Sequence, residues 1–295
     1  MSKKVEEFYD KHYKKLMLIP IMLLILSIGV LSYNYVKHGE PVQRDVELKG
    51  GVEVTIDKPG VEVADVEGSL SNNGYEDFTV RELTDFATHK NLGVTIKIGE
   101  LAEDDVNGLK ESLRKSIGFS DEQFSSSVIQ AEFSAGFYRS LMLVILFSFI
   151  MMAISVSIAF RTFIPSIAVI SAALIDIAVP FAVISLTGMK ISGAGIVAFL
   201  LIIGYSIDTD VLLTTWMIKR KEGGYLERMV KSIKTGLKMT TTTIIVMLIG
   251  IALAISPVLH QMFVIILIAL ITDIISTYLG NAPILIWYCK KKGIS

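Results

Sequence analysis

"GYSIDTDVLL", residues 204–213, lies inside an otherwise apolar run that extends from about 191 to 218. Such a run is long enough to cross ~30 Å of hydrocarbon as a helix. An aspartate at the centre of a membrane helix costs about 2.5–3.5 kcal/mol. This run holds two, Asp208 and Asp210. At ~100° per residue they point about 200° apart. Asp208 shares a face with Gly204, Tyr205 and Thr215, and Asp210 with Ser206 and Thr214. Both faces must meet protein or water, so this helix is expected at the centre of a bundle.

The rest of the chain has the composition of such a bundle. It has 295 residues, 52% of them hydrophobic, and a mean hydropathy of +0.58. That is far above a soluble average and indicates a polytopic membrane protein in a lipid bilayer. The net charge of −1 implies no nucleic acid or other global polyanion as partner. A single cysteine, Cys289, excludes an internal disulfide framework and a Cys-based metal site.

Six segments are long enough to span, at about 16–36, 138–160, 163–187, 191–218, 239–258 and 260–288. The first lacks a small-residue cleavage site and reads as a retained span or signal anchor. Lys and Arg orient the set. Lys3, Lys4, Lys11, Lys14 and Lys15 precede the first span, seven bases from Lys219 to Lys238 separate the fourth and fifth, and Lys290–Lys292 follow the sixth. The expectation is a multi-pass cell-membrane protein with residues 1–15 and 289–295 cytoplasmic and 37–137 extracytoplasmic. Residues 37–139 carry 20 acids against 11 bases. This acidic face is either a solvated surface or an attractor for basic or unfolded segments.

Alternation predicts strands at "GGVEVTI" (ending at 56), "FTVREL" (78–83) and "LGVTIKI" (92–98), and a last strand over 125–133. Helices are expected at 65–74 and 102–118. The order βαββαβ suggests a small α+β, ferredoxin-like domain between the first two spans.

Two further carboxylates fall within predicted spans, Asp176 in the third and Asp273 in the sixth, while no Lys or Arg lies mid-span. Such acids can act as helix glue, bonded to Ser or Thr across the bundle. They can also bind and release an ion as water reaches them. Thr240, Thr241, Thr242 and Thr243 open the fifth span at nearly the depth of Asp208 and Asp210, where hydroxyls could bond the carboxylates, as could Tyr205 and Ser206. Pro180, four residues past Asp176, weakens the third span. Carboxylates with threonines would suit a proton or Na⁺ equally.

The arrangement resembles the SecF family of SecD–SecF protein-export complexes, in the RND superfamily. The plan of one span, an external domain and five clustered spans covers nearly the whole chain. "ELKGG" (47–51) is similar to the family's Asp-aromatic-or-Leu-x-Gly-Gly motif, with Glu47 for the usual Asp before Gly50 and Gly51. Asp176 matches the Asp of the family's His-Asp stretch, and Ile175 stands where His is common. "DTD" replaces the usual Asn-Asp-Thr after Gly-Tyr-Ser, a form that also resembles the sister SecD. "TYLGNAPIL" (277–285) resembles the family's sixth-span ending. The departures resemble an archaeal-type variant and leave the part of a motor ATPase open.

The resemblance implies a SecD-like subunit, the protein-conducting Sec channel and a translocating preprotein as partners, with no cofactor. Protonation of Asp208, assisted by Asp210, Asp176 and Asp273, would bias the bundle between two packings. Other readings fit less well. One small external domain gives an RND-type small-molecule transporter little substrate pocket. An intramembrane aspartyl protease needs Gly-x-Gly-Asp, and here Gly204-Tyr205-Ser206-Ile207-Asp208 is one residue longer. A purely structural scaffold would leave the acids without use. No phosphate loop, metal cluster or Ser/His/Asp set is apparent, and His12, His38, His89 and His260 are scattered. The chain is not expected to be an enzyme.

Overall fold

A computed structural model describes residues 2–85, 90–99, 101 and 105–294. His89 and residues 102–104, the start of one expected helix, lie outside the described residues. The chain divides into two compact units, Arg44–Met142 and the remainder.

The smaller unit is built on a four-stranded sheet. Its strands are β1 (Gly51–Ile56), β2 (Phe78–Thr84), β3 (Asn91–Gly99) and β4 (Phe124–Ile129), in spatial order β2-β3-β1-β4. Every neighbouring pair is antiparallel. With α4 (Val63–Asn72) and α5 (Val106–Ile117) the strands complete a ferredoxin-like βαββαβ order, which the short α3 (Val46–Lys49) precedes. Strand alternation sends Val52, Val54 and Ile56 of β1 and Val94, Ile96 and Ile98 of β3 to one face. There they pack with Val66 and Leu70 of α4 and Leu109 and Leu113 of α5. Burying each such side chain contributes about 1.5–3 kcal/mol.

The Gly-Gly of "ELKGG" has a backbone reason. Gly50 and Gly51 hold φ of 90° and 146° where α3 turns into β1. A Cβ at Gly51 would run into the Ile98 carbonyl of the paired strand. The last strand is shorter than expected. It stops at Ile129, and Ala131 already begins a helix. The alternation seen through 133 is therefore the first turn of that helix.

The larger unit contains α1 (Ser2–Leu16), α2 (Leu18–His38), α7 (Phe163–Thr187), α8 (Gly193–Ile218), α9 (Tyr225–Leu253), α10 (Pro257–Ile275) and α11 (Ala282–Lys292). Most of α6 (Ala131–Phe160) belongs to it as well. A π-helical turn, Ser276–Asn281, joins α10 to α11. Among the described residues, six helical stretches are long and apolar enough to cross a membrane. α7 and α8 are the most enclosed, as a central α8 requires. α6 and α9 expose apolar faces such as Leu146, Phe147, Val246 and Ile249.

Two helices exceed the apolar runs. Residues 2–16 form α1, whose Tyr9 and Leu16 pack into a cluster with Leu213, Met229, Leu285 and Cys289. α9 begins at Tyr225, well before 239, because Leu226, Met229, Val230 and Ile233 recur at helical spacing and bury in that same cluster.

Candidate functional site

α8 carries Ser206, Thr209 and Asp210 on its buried side, at a spacing of three to four residues that stacks them on one face. Opposite stand Asp176 of α7, Asp273 of α10, and the π turn with Ser276, Thr277 and Asn281. Asp176 and Asp210 are 0% exposed and Asp273 is 2% exposed.

Hydrogen bonds tie this set together. Ser206 donates to Asp176 at 2.5 Å and Ser276 donates to its other oxygen at 2.6 Å. The Thr209 hydroxyl lies 3.1 Å from both oxygens of Asp273. Thr277 donates to Asp273 at 3.2 Å. The Asn281 amide donates to Asp210 at 2.8 Å. Asp210 Oδ2, Asn281 Oδ1, Thr214 Oγ1 and Thr240 Oγ1 are among the buried polar atoms with no partner among the described residues. Hydroxyls and one amide bond the three carboxylates, Asp176 and Asp273 lie close enough to interact directly, and no described Lys or Arg pairs with them.

A cavity of about 20 Å³ adjoins the network, lined in part by Tyr205, Ser206, Thr243 and Asp273. That is room for about one water molecule. Tyr205 and Thr243 are bonded hydroxyl to hydroxyl at 3.0 Å across it. The arrangement can bind or release a small cation or protons, because no described base compensates negative charge here.

The residues singled out from sequence divide into three groups. Asp176, Asp210, Asp273 and Ser206 come together, with Tyr205 and Thr243 at the adjoining cavity. Thr240 is buried beside no bonding partner, whereas Thr241 and Thr242 are exposed, Thr242 bonding the Lys238 carbonyl at 2.9 Å. Of the four threonines expected near the depth of the acids, Thr243 is thus the one that lines the adjoining cavity. Asp208 lies on an exposed face of α8, outside the network and without a partner among the described residues, next to Gly204, where a Cβ would meet nothing within 4 Å.

Glu47, Gly50 and Gly51 belong to the smaller unit's fold. Glu47 pairs with Lys97 at 3.1 Å. Sequence reasoning missed Thr209, Ser276, Thr277 and Asn281. Thr209 was visible as the middle residue of "DTD", and Ser276 and Thr277 as the i+3 and i+4 neighbours of Asp273.

Known proteins resemble this chain in sequence and in fold. The family model described as "Protein export membrane protein SecD/SecF, C-terminal" matches residues 109–291. The protein-export membrane protein SecF of Methanocaldococcus jannaschii is 34% identical, over 94% of this chain and 96% of the relative. The SecF of Pyrococcus furiosus is 29% identical over 99% of this chain and 96% of its own. The crystal structure of SecDF from Thermus thermophilus, a translocon-associated membrane protein, superposes with a TM-score of 0.70 at 19% identity. That match supports the fold. It covers 95% of this chain but 38% of the other, so this chain spans under two-fifths of that SecDF. With a family model over more than half its length and a SecF relative at 34% identity end to end, the chain is a multi-pass membrane protein that belongs to the SecF family of protein-export membrane proteins.

Proposed function

We propose that this chain is the SecF subunit of a protein-export complex and assists preprotein translocation by coupling it to a transmembrane proton gradient. The observation that carries the coupling is the Asp176–Asp210–Asp273 network, three buried acids joined to hydroxyls and an amide with no base among the described residues. Three negative charges enclosed together repel one another in a medium of low polarity. The cluster can therefore hold full negative charge only while water or a cation reaches it. Opening it to one side of the membrane and then the other would move protons and repack α7, α8 and α10, since each acid is bonded to another helix.

A SecD-like subunit is the proposed partner, supported by the SecDF chain that continues well beyond the matched region. The exposed Asp208 beside the open Gly204 supports it as well. A lone carboxylate near the middle of a lipid-facing helix costs about 2.5–3.5 kcal/mol, which a covering helix with a donor or cation would offset. The Sec channel, the preprotein and lipid are proposed partners on family grounds. Termini in the cytoplasm and an extracytoplasmic domain follow from the basic loops.

Asp210→Asn keeps the shape and hydrogen-bonding capacity of the side chain but cannot titrate. In membrane vesicles holding the complex, it is expected to lower gradient-driven export at least tenfold with the protein still assembled. Full gradient-driven export in that variant would overturn the coupling.

A further inference from the structure

The π turn that delivers Ser276, Thr277 and Asn281 to the carboxylates has a defect in its own backbone bonding. In a π turn the carbonyl of residue i accepts from the N–H of residue i+5. The Ala282 N–H bonds in this way to Thr277. One residue on, the Tyr278 carbonyl has as its i+5 neighbour Pro283, which carries no N–H. Its i+4 donor, Ala282, is the one committed to Thr277. An acceptor left bare in a protein interior is costly.

The missing donor comes from a distant part of the chain. The Tyr9 hydroxyl of α1 donates to the Tyr278 carbonyl at 3.1 Å, in a buried contact. α1 is held in place independently, since Lys290 of α11 pairs with Asp10 at 2.7 Å. The turn is also closely packed on two other sides. A Cβ at Gly280 would approach Pro20 of α2 to 3.1 Å, and one at Gly236 of α9 would run into the Tyr278 hydroxyl. α1, α2 and α9 thus all bear on the turn, and Tyr9 of α1 bonds its backbone.

We propose that Tyr9 is a positioning residue for the carboxylate network: its hydroxyl replaces the backbone donor that Pro283 lacks and so holds the π turn where Thr277 reaches Asp273 and Asn281 reaches Asp210. The proposal rests on the network's being the coupling site, and it ties that site to the helix at the chain's N-terminal end.

The test uses the whole complex in native membranes and N,N′-dicyclohexylcarbodiimide, an apolar reagent for buried carboxyl groups, with modification of Asp210 and Asp273 read by peptide mass. A net hydrogen bond of about 1 kcal/mol corresponds to about fivefold. Tyr9→Phe keeps the ring and its packing, and is expected to raise modification of both acids about fivefold. Tyr13→Phe on the same helix is expected to leave it unchanged. Pro283→Ala restores an N–H at the i+5 position, so in that background Tyr9→Phe is expected to have an effect below about twofold.

Unchanged labelling in Tyr9→Phe, or the same rise with and without Pro283, would overturn the proposal. Labelling and export fail separately. A shifted labelling pattern with Asp210→Asn still fully coupled removes the coupling reading and leaves the positioning. The reverse pair of results removes only the positioning.

Discussion

The two units bury ionisable groups in opposite ways. In the smaller one, Lys97 of β3 is nearly enclosed and lies 3.4 Å from Asp45, 3.1 Å from Glu47 and 4.0 Å from Glu53. Burial alone would push the Lys97 ammonium down, but Asp45, Glu47 and Glu53 more than offset it and hold it above its ordinary value. In the membrane unit Asp176, Asp210 and Asp273 have hydroxyls and one amide around them and no base among the described residues. A cluster centred on a base keeps that base charged through the ordinary pH range and serves the fold. An unmatched one changes charge whenever its surroundings do, which is what coupling to an ion gradient demands. The acidic motif residue Glu47 thus belongs to the fold of the smaller unit, and the intramembrane acids are the ones proposed to carry the coupling.

Breaking the matched cluster should give the largest loss of stability. Lys97→Met leaves three acids facing one another and is expected to destabilise the smaller unit by about 3 kcal/mol, the low end for a broken buried pair because Glu47 and Glu53 stay partly exposed. Its thermal unfolding in the intact chain, followed by protease susceptibility, measures this. A loss below about 0.5 kcal/mol would place Lys97 among ordinary surface pairs.

The same cluster has a pH signature. The folded Lys97 holds its proton more tightly than the unfolded ordinary value of 10.5. Its contribution is therefore complete below that value and is lost as the pH rises through the higher, folded one. The unfolding temperature of the smaller unit should fall more steeply in that alkaline range for the wild type than for Lys97→Met.

The smallest effect belongs to a single donor of the unmatched cluster. Thr209→Val removes one hydroxyl from Asp273 at constant shape. It is expected to change gradient-driven export about fivefold, the equivalent of a net hydrogen bond near 1 kcal/mol, with little change in unfolding. Equal effects on export and stability would mean that the bond is only glue.

How much of this was legible in the sequence follows from which physical signals are local. The spans come from apolar run length, and the sheet from strict alternation such as Val52, Val54 and Ile56. The acids stood out because hydrocarbon tolerates so few. Helical geometry showed that Asp208 and Asp210 face apart, but not which of them faces inward. That depends on how α7 and α10 pack on α8, and the structure gives the inner place to Asp210.

Ser276, Thr277 and Asn281 were hidden for a different reason. Serine and threonine in an apolar helix commonly bond their own backbone, as Ser27 does to the Leu23 carbonyl at 2.7 Å. The spacing of Ser276 and Thr277 from Asp273 was visible, but neither the π turn nor the place of Asn281 beside Asp210 could be read from it. The early start of α9 and the helix at residues 2–16 depend on long-range packing against α11, which no local window contains.

The measurement closest to the central claim is proton flux itself. Proteoliposomes holding the complex and a trapped pH-sensitive dye would be followed during export, wild type against the triple variant Asp176→Asn, Asp210→Asn, Asp273→Asn. The account predicts proton entry that accompanies export in the wild type and is absent in the triple variant, with Asp45, Glu47, Glu53 and Lys97 left untouched. Proton entry that continues at the wild-type rate without the three acids would contradict it.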